Sequence, residues 1–370
     1  MDRKRQKGFS LVEVLVGLVI GLLAMLAIFQ TLAFFESQRR TTGEGADMQQ
    51  NGLAALYALE QDIRLGGYGL IDNGSMPCFA INAYNPGSVF HSIPIQIVDG
   101  GTGSDQLITA RLDSDTGGVA TGGGRAQIES ASQTSITVDT GRGLKANDYI
   151  LISEPTKFAC SLLQVASSYA YVGTDPTTVA LVSVANAAGT AGSATFPAYD
   201  GNSASPFAVV VDIGQSAPFV TSTFSVSSGS LVENDNGAAS STPLVANIVN
   251  IQAQYGVAAA GSESISCWTN ATGSTCGNPS SGDWASPNYS DFERIKAIRI
   301  AVVAKSDLKE KPTSGTTCNA TTTAPSAWPS VSGQTAPPSI DLSSDTDWKC
   351  YRYKVYSTIV PLRNVIWGNL

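Results

Sequence analysis

Histidine is almost absent from this 370-residue chain, and charged residues are scarce. His91 is the only histidine, and Asp, Glu, Lys and Arg together make up 14% of the sequence. A Ser-His-Asp triad would therefore have one candidate base, and a zinc site built from several histidines is excluded. Because no nucleophile motif is recognisable either, we expect a protein that is not an enzyme and has no cofactor; an anchored hydrolase is the weakest alternative.

A basic excess is missing as well. The chain has 22 Lys and Arg against 30 Asp and Glu, a net charge of −8. A protein that binds a phosphate backbone needs a basic face, so nucleic acid is not expected as the main ligand. The basic residues concentrate at the start: residues 1–8 contain four basic residues and one acidic one, and without them the net charge would be −11.

The longest uncharged run follows this basic start. Val14 to Phe35 comprises 22 residues without a charge, and as a helix it would be about 33 Å long, enough to cross the hydrocarbon core of a bilayer. The basic residues before it predict a cytoplasmic N-terminus and a single pass through the inner membrane. Residues 67–370 would then lie on the periplasmic side as one β-rich body.

Two other interpretations of the apolar segment are weaker. A secretory signal peptide also has a basic start, but its apolar region is usually shorter, and no small-x-small cleavage site precedes Glu36. An ordinary uncleaved anchor would leave the residues just before the segment unexplained. Those residues carry a more specific pattern.

Gly8-Phe9-Ser10-Leu11-Val12-Glu13, after a basic leader and before the apolar segment, resembles the class III leader junction of type IV pilins and of type II secretion pseudopilins. The resemblance implies that a prepilin peptidase removes residues 1–8 on the cytoplasmic face by cutting between Gly8 and Phe9. It also implies that the new N-terminal residue, Phe9, is N-methylated. Glu13 becomes the fifth residue of the mature chain.

Glu13 is a charged residue directly before the apolar segment. A carboxylate within the membrane costs about 2.5 to 3.5 kcal/mol on insertion scales, so such a residue is functional by default. The resemblance implies that Glu13 pairs with the α-amino group of Phe9 on a neighbouring subunit and sets the register of assembly. The alternative is that Glu13 lies at the level of the lipid headgroups without a specific partner.

The patterns after Phe35 indicate an α+β protein with a long N-terminal helix packed on an antiparallel β-sheet body. Apolar residues at helical spacing and a Gly66-Gly67 stop predict one helix over residues 9–66. Beyond Tyr68, short β-prone runs alternate with turn residues, and Ser228-Gly229 predicts a tight hairpin. The expected buried stripe of the helix consists of Leu53, Leu56, Tyr57, Leu59 and Ile63.

Three segments of the C-terminal half resemble the PilW family of type IV pilus minor pilins: residues 245–257, 294–306 and 353–364. The family implies a low-abundance subunit that works with other minor pilins and the major pilin in starting assembly and at the pilus tip. A tip adhesin is a further partner, and the mature protein would move from the inner membrane to the pilus. The alternative is a J-type pseudopilin of a type II secretion system, whose globular part is usually shorter.

The cysteines predict disulfides rather than a metal site. They form an even set without a Cys-x-x-Cys motif, and the predicted topology places them outside the cytoplasm. Their connectivity is open from the sequence. Sequential pairing is our hypothesis: Cys78 with Cys160, Cys267 with Cys276, and Cys318 with Cys350.

Two further stretches have simple interpretations. The acidic runs 113–117 and 233–237 contain oxygen ligands suited to calcium, but neither has a full calcium-binding loop, so solvated turns are favoured and no metal is expected. Residues 312–340 are rich in Thr, Ser, Pro and Gly. They predict an exposed loop that contributes nothing to the core.

Overall fold

The computed structural model describes residues 10–68, 80–82, 93–112, 126–131, 135–153, 159–183, 209–214, 219–235, 238–285, 287–310, 312, 317–329, 337–338 and 340–367. Its helices are α1 (Leu11–Leu65), α2 (Tyr289–Phe292) and α3 (Arg363–Trp367). The strands are β1 (Ala80–Asn82), β2 (Ile95–Val98), β3 (Gln106–Leu112), β4 (Ala126–Ala131), β5 (Ser135–Val138), β6 (Tyr149–Ser153), β7 (Ala159–Val165), β8 (Thr177–Ser183), β9 (Val209–Gly214), β10 (Phe219–Ser227), β11 (Ser230–Asp235), β12 (Thr242–Ala246), β13 (Ile248–Ala258), β14 (Ile265–Thr269), β15 (Ile295–Lys305) and β16 (Tyr353–Pro361).

Helix α1 is continuous over 55 residues, which corresponds to about 82 Å. It runs through Gly43 and Gly45 without a break and ends at Leu65, directly before the Gly66-Gly67 pair that predicts its end. Gly67 has a φ of 79°, a left-handed conformation that glycine adopts without a steric penalty. The prediction of one long helix is confirmed for the described residues; Phe9 lies outside them.

Two antiparallel sheets pack with α1 and form what we call the scaffold. One sheet has five strands in the order β12-β11-β10-β3-β2, and the other has four in the order β14-β13-β15-β16. Apolar side chains of the helix and of both sheets share one core, which includes Leu59, Ile251 and Phe224. The hairpin predicted at Ser228-Gly229 joins β10 to β11, with both turn residues at positive φ. The α+β prediction is therefore confirmed.

A second unit lies between β3 and β10 in the chain. Strands β7, β6, β9, β4, β5 and β8 are antiparallel neighbours in that order, and β8 pairs back with β7, so the six strands close into a barrel. β1 adds to β7 in parallel. The barrel has a core of its own, which is filled by Ile128, Ile136, Val138, Ile150, Ile152, Leu163, Val165 and Val179, among others.

The segment 312–340 differs from the exposed loop that its composition predicts. Its described residues include no strand, but Ala327 and Trp328 are buried against Ala301 and Val303 of β15. The prediction that this segment contributes nothing to the core is wrong. A single apolar side chain of this size can cover a sheet face although its neighbours are polar, and the Cys318–Cys350 disulfide holds the segment in place.

Candidate functional site

The first half of α1 projects from the scaffold with its apolar side chains uncovered. The large hydrophobic residues between Leu11 and Phe35 are 52% to 76% exposed. The helix is long and apolar enough to cross a membrane, with a mean hydropathy of 2.8 and no part of that window buried. Exposed apolar surface on this scale requires lipid or another protein chain to cover it.

Glu13 lies in the first turn of this projecting segment. Its Oε2 accepts a hydrogen bond from the backbone N–H of Ser10 at 3.4 Å, which satisfies one of the free donors of a helix N-terminus. The side chain is exposed, so it can be reached by a second chain. Gly8 and Phe9, the other residues of the predicted junction, lie outside the described residues.

The second half of α1 is seated on the scaffold through small residues. A Cβ placed on Gly52 would lie 2.2 Å from the ring of Tyr356, so glycine is required for the ring to approach the helix this closely. Ala55, Leu59 and Ile63 continue this buried face.

The observed stripe corrects the predicted one at two positions. Leu53 is 48% exposed and Tyr57 is 62% exposed, although both were expected to be buried. The helix turns Gly52 towards Tyr356 of β16 instead, because a ring and a helix backbone can then pack directly, and Ala55 lies in the buried core. A pattern based on large apolar residues alone misses this arrangement.

Polar contacts hold the same half of the helix along its length. Arg111 of β3 forms an ion pair with Asp62, and both side chains are largely buried; burial raises the pKa of Asp62 while the guanidinium opposes this. Near the C-terminus, the Asn364 side chain donates to the carbonyl of Gly66 at 2.9 Å. Sequence reasoning missed these contacts, since their partners are far apart in the chain.

A buried carboxyl joins the two sheets beneath the helix. The backbone N–H groups of Gly100 and Ala253 donate to the carboxylate oxygens of Asp105 at 2.8 and 2.7 Å. The N–H of Asp105 in turn donates to the carbonyl of Ile251 at 2.9 Å. Burial raises the pKa of Asp105 to about 7.

The structure pairs four of the cysteines in two disulfides, Cys267–Cys276 and Cys318–Cys350. Cys318–Cys350 fastens the segment that covers the outer face of β15, where Arg299 lies between the rings of Trp268 and Trp328 at 5.0 and 4.2 Å from their centroids. Cys160 is in β7, and Cys78 lies outside the described residues, so that predicted pair stays a prediction. A described disulfide of this kind contributes about 2 to 4 kcal/mol.

The sequence contains two acidic runs, 113–117 and 233–237, whose oxygen atoms are suited to calcium. Residues 113–117 lie outside the described residues, and so do the last two positions of 233–237. Within the described part of the chain, no three His, Cys, Asp or Glu side chains come together in a way that could hold a metal ion.

Comparison with known families assigns two segments of the chain. Residues 218–364 match the family described as Type IV Pilus-assembly protein W, and residues 3–29 match the Prokaryotic N-terminal methylation motif. These matches confirm the resemblance drawn from the sequence. The first covers β10 to β16, and the barrel strands β4 to β9 lie outside both.

No characterised protein and no solved structure matches the chain. Within the scaffold, strands β10 to β16 and the first part of α1 are thus similar to known families, whereas β2 and β3 lie outside both matches. The methylation motif and the apolar helix together fit a protein with a single inner-membrane anchor.

Proposed function

We propose that this type IV pilus-related minor pilin takes part in starting pilus assembly and in the complex at the pilus tip. In this role it acts through contacts with other minor pilins and the major pilin and catalyses no reaction. The observation that carries the proposal is the apolar, uncovered first half of α1 on a folded scaffold whose C-terminal part matches the PilW family.

The helix supports this role because two environments cover its apolar side chains equally well. In the inner membrane, lipid chains cover the apolar side chains between Leu11 and Phe35. In a filament, the helices of neighbouring pilins cover the same surface. Moving from one environment to the other exposes little apolar area to water, so extraction from the bilayer has a low hydrophobic cost.

Processing couples to assembly through Glu13. A prepilin peptidase that cuts between Gly8 and Phe9 creates a free α-amino group, and only a processed chain has this cation at its terminus. The exposed carboxylate of Glu13 then pairs with Phe9 of a neighbouring subunit. The pair removes an uncompensated charge from an apolar environment, which gives the assembly a defined register.

The first experiment tests the junction. Gly8→Val in the full chain should block cleavage and leave the precursor in the membrane, with the leader still attached. Intact mass and N-terminal sequencing measure this. A mature mass equal to that of the wild type would reject the junction assignment.

The second experiment tests the register role. Glu13→Ala should leave cleavage intact but lower incorporation into surface pili, while Glu13→Asp, which keeps the charge, should retain part of it. Sheared pili and membranes are compared by immunoblot, with twitching motility as the cellular readout. Normal piliation of Glu13→Ala would contradict the role, and a secretion defect with normal pili would favour the J-type pseudopilin.

A further inference from the structure

A cleft of about 270 Å³ lies where α1 leaves the scaffold. One wall is the helix, and the other is the segment 308–310 that follows β15. The backbone N–H of Leu308 donates to Glu44 of the helix at 3.1 Å, which holds the two walls together. The helix residues that line the cleft are Ala33, Glu36, Arg40, Thr41 and Glu44.

The cleft falls at the boundary between the apolar and the polar part of the helix. Ala33 belongs to the uncharged run that ends at Phe35, and Glu36 is the first charge after it. If the run spans the hydrocarbon core, Glu36 and Arg40 stand within about 8 Å of its outer surface along the helix axis. This is the depth of the phospholipid headgroups.

The charges in the cleft differ in whether they have partners. Glu310 forms an ion pair with Arg352, and Lys309 forms one with Asp347. Glu36 and Arg40 are one helical turn apart and have no ion pair within the described part of the chain. An acid and a base therefore face one cleft at membrane level, each free to bind an opposite charge.

We infer that this cleft binds the headgroup of a zwitterionic aminophospholipid. Arg40 binds the phosphate, since a guanidinium presents several N–H donors in a geometry that suits phosphate oxygens. Glu36 accepts hydrogen bonds from the primary ammonium group. The acyl chains follow the apolar side chains of α1 beyond Ala33.

The overall charge of the cleft selects against an anionic lipid. Its charged lining residues are three acids, Glu36, Glu44 and Glu310, and two bases, Arg40 and Lys309. An anionic headgroup would satisfy Arg40 but leave Glu36 without a counter-charge. A headgroup with both an ammonium and a phosphate complements both.

Arg40→Gln and Arg39→Gln form a matched pair for the test. Arg39 is adjacent and exposed but does not line the cleft, so both variants remove one charge at the same depth. The full-length processed protein in detergent is titrated with phosphatidylethanolamine or phosphatidylglycerol, and native mass spectrometry measures the fraction with one bound lipid. We expect Arg40→Gln to bind phosphatidylethanolamine about tenfold more weakly, and Arg39→Gln to bind as the wild type does.

Equal weakening in the two variants would overturn the inference, because it would indicate a general surface charge effect. Phosphatidylglycerol bound as tightly as phosphatidylethanolamine would overturn it as well. Glu36→Gln should weaken phosphatidylethanolamine binding and leave phosphatidylglycerol binding unchanged or stronger.

A second measurement identifies the occupant in cells. A photoreactive amino acid at Leu308, which is 46% exposed in the cleft wall, should yield an adduct with the mass of a phospholipid. A cross-link to another protein instead would overturn the inference and assign the cleft to a subunit contact. Cleavage at Gly8 and pilus incorporation are scored separately, so failure here leaves the proposed function intact.

Discussion

The scaffold and the barrel are both antiparallel β-structures with filled cores, yet they differ in strand length, in disulfides and in similarity to known families. The scaffold holds the projecting helix and contains strands of up to 11 residues. It includes both described disulfides, and most of it matches a family. The barrel strands β4 to β9 have four to seven residues. They are far from the projecting half of α1 in the sequence, and they lie outside both family matches. From this difference we expect assembly to depend on the scaffold and not on the added barrel.

The point of insertion explains how the chain accommodates the barrel. β3 and β10 are neighbours in the five-stranded sheet, and Leu112 at the end of β3 pairs with Phe219 at the start of β10. The barrel thus occupies the place of a hairpin loop. Because the entropy of closing a loop rises slowly with its length, a large folded insertion at this position leaves the register of the sheet unchanged.

The largest expected effect comes from core truncation in each unit. Leu59→Ala and Ile150→Ala each remove a fully buried side chain, and each should lower the free energy of unfolding of its own unit by about 2 to 5 kcal/mol. All five tryptophans lie at position 268 or later, so tryptophan fluorescence reports on the scaffold alone. Hydrogen exchange of the β4–β9 amides reports on the barrel.

Leu59→Ala should also reduce incorporation into filaments, whereas Ile150→Ala should not. Tyr57→Ala, an exposed position on the same helix, is the control and should change neither property. If Ile150→Ala shifted the fluorescence transition as much as Leu59→Ala does, the two units would not be separate.

The pH dependence of the free energy of unfolding should have opposite signs in the scaffold and in the barrel. Burial raises the pKa of Asp105 to about 7, so the folded scaffold keeps a proton that the unfolded chain loses. The free energy of unfolding of the scaffold should therefore decrease as the pH rises from about 4 to about 7. This group contributes up to about 1.4 kcal/mol per pH unit to the decrease. Asp105→Asn should flatten that slope in fluorescence-detected denaturation of the detergent-solubilised chain.

In the barrel, Asp175 has a lowered pKa, in contrast to the raised pKa of Asp105. The backbone N–H of Gly141 and the hydroxyl of Tyr171 donate to Asp175 and lower its pKa. Its stabilising effect is present above the ordinary aspartate range and is lost as the pH falls through the lowered pKa.

The Asp105→Asn variant is the control for the scaffold. If the free energy of unfolding of the scaffold changed with pH in the same way in Asp105→Asn and in the wild type, the assignment to Asp105 would be contradicted.

The smallest effect on assembly should follow from removing the barrel. Residues 113–218 are replaced by a short Asn-Gly turn between Leu112 and Phe219, and Cys78→Ser avoids a free thiol once Cys160 is gone. We expect a scaffold stability within about 1 kcal/mol of the wild type and unchanged incorporation. Loss of incorporation with normal tryptophan fluorescence would show that the barrel takes part in assembly.

Much of the fold was predictable where the signal is local. Helix α1 and the hairpin at Ser228-Gly229 follow from periodicity and turn residues that lie next to one another. The alternation of short strands predicted a β-rich body. It did not indicate that these strands divide into a scaffold and a closed barrel, because strand pairing depends on residues far apart in sequence.

The site was predictable to a similar extent. The pattern around Glu13 and the uncharged segment identified the projecting half of α1, since both are contiguous. The seat of the helix was predicted only in part, because Gly52 contributes by its lack of a side chain. Trp328 was missed for a related reason: a polar, proline-rich neighbourhood conceals one buried ring.

The sequence alone predicted the leader junction and determined the membrane-length helix and the relation to pilins, because a peptidase and a bilayer both recognise a continuous stretch of chain. Only the tertiary structure decided which strands close the barrel, which face of α1 is buried, and that Glu36 and Arg40 share a cleft with residues 308–310. Those outcomes depend on contacts between residues that are far apart in the chain, such as Gln127 with Val209 in the barrel and Gly52 with Tyr356 at the helix. No local pattern encodes such contacts.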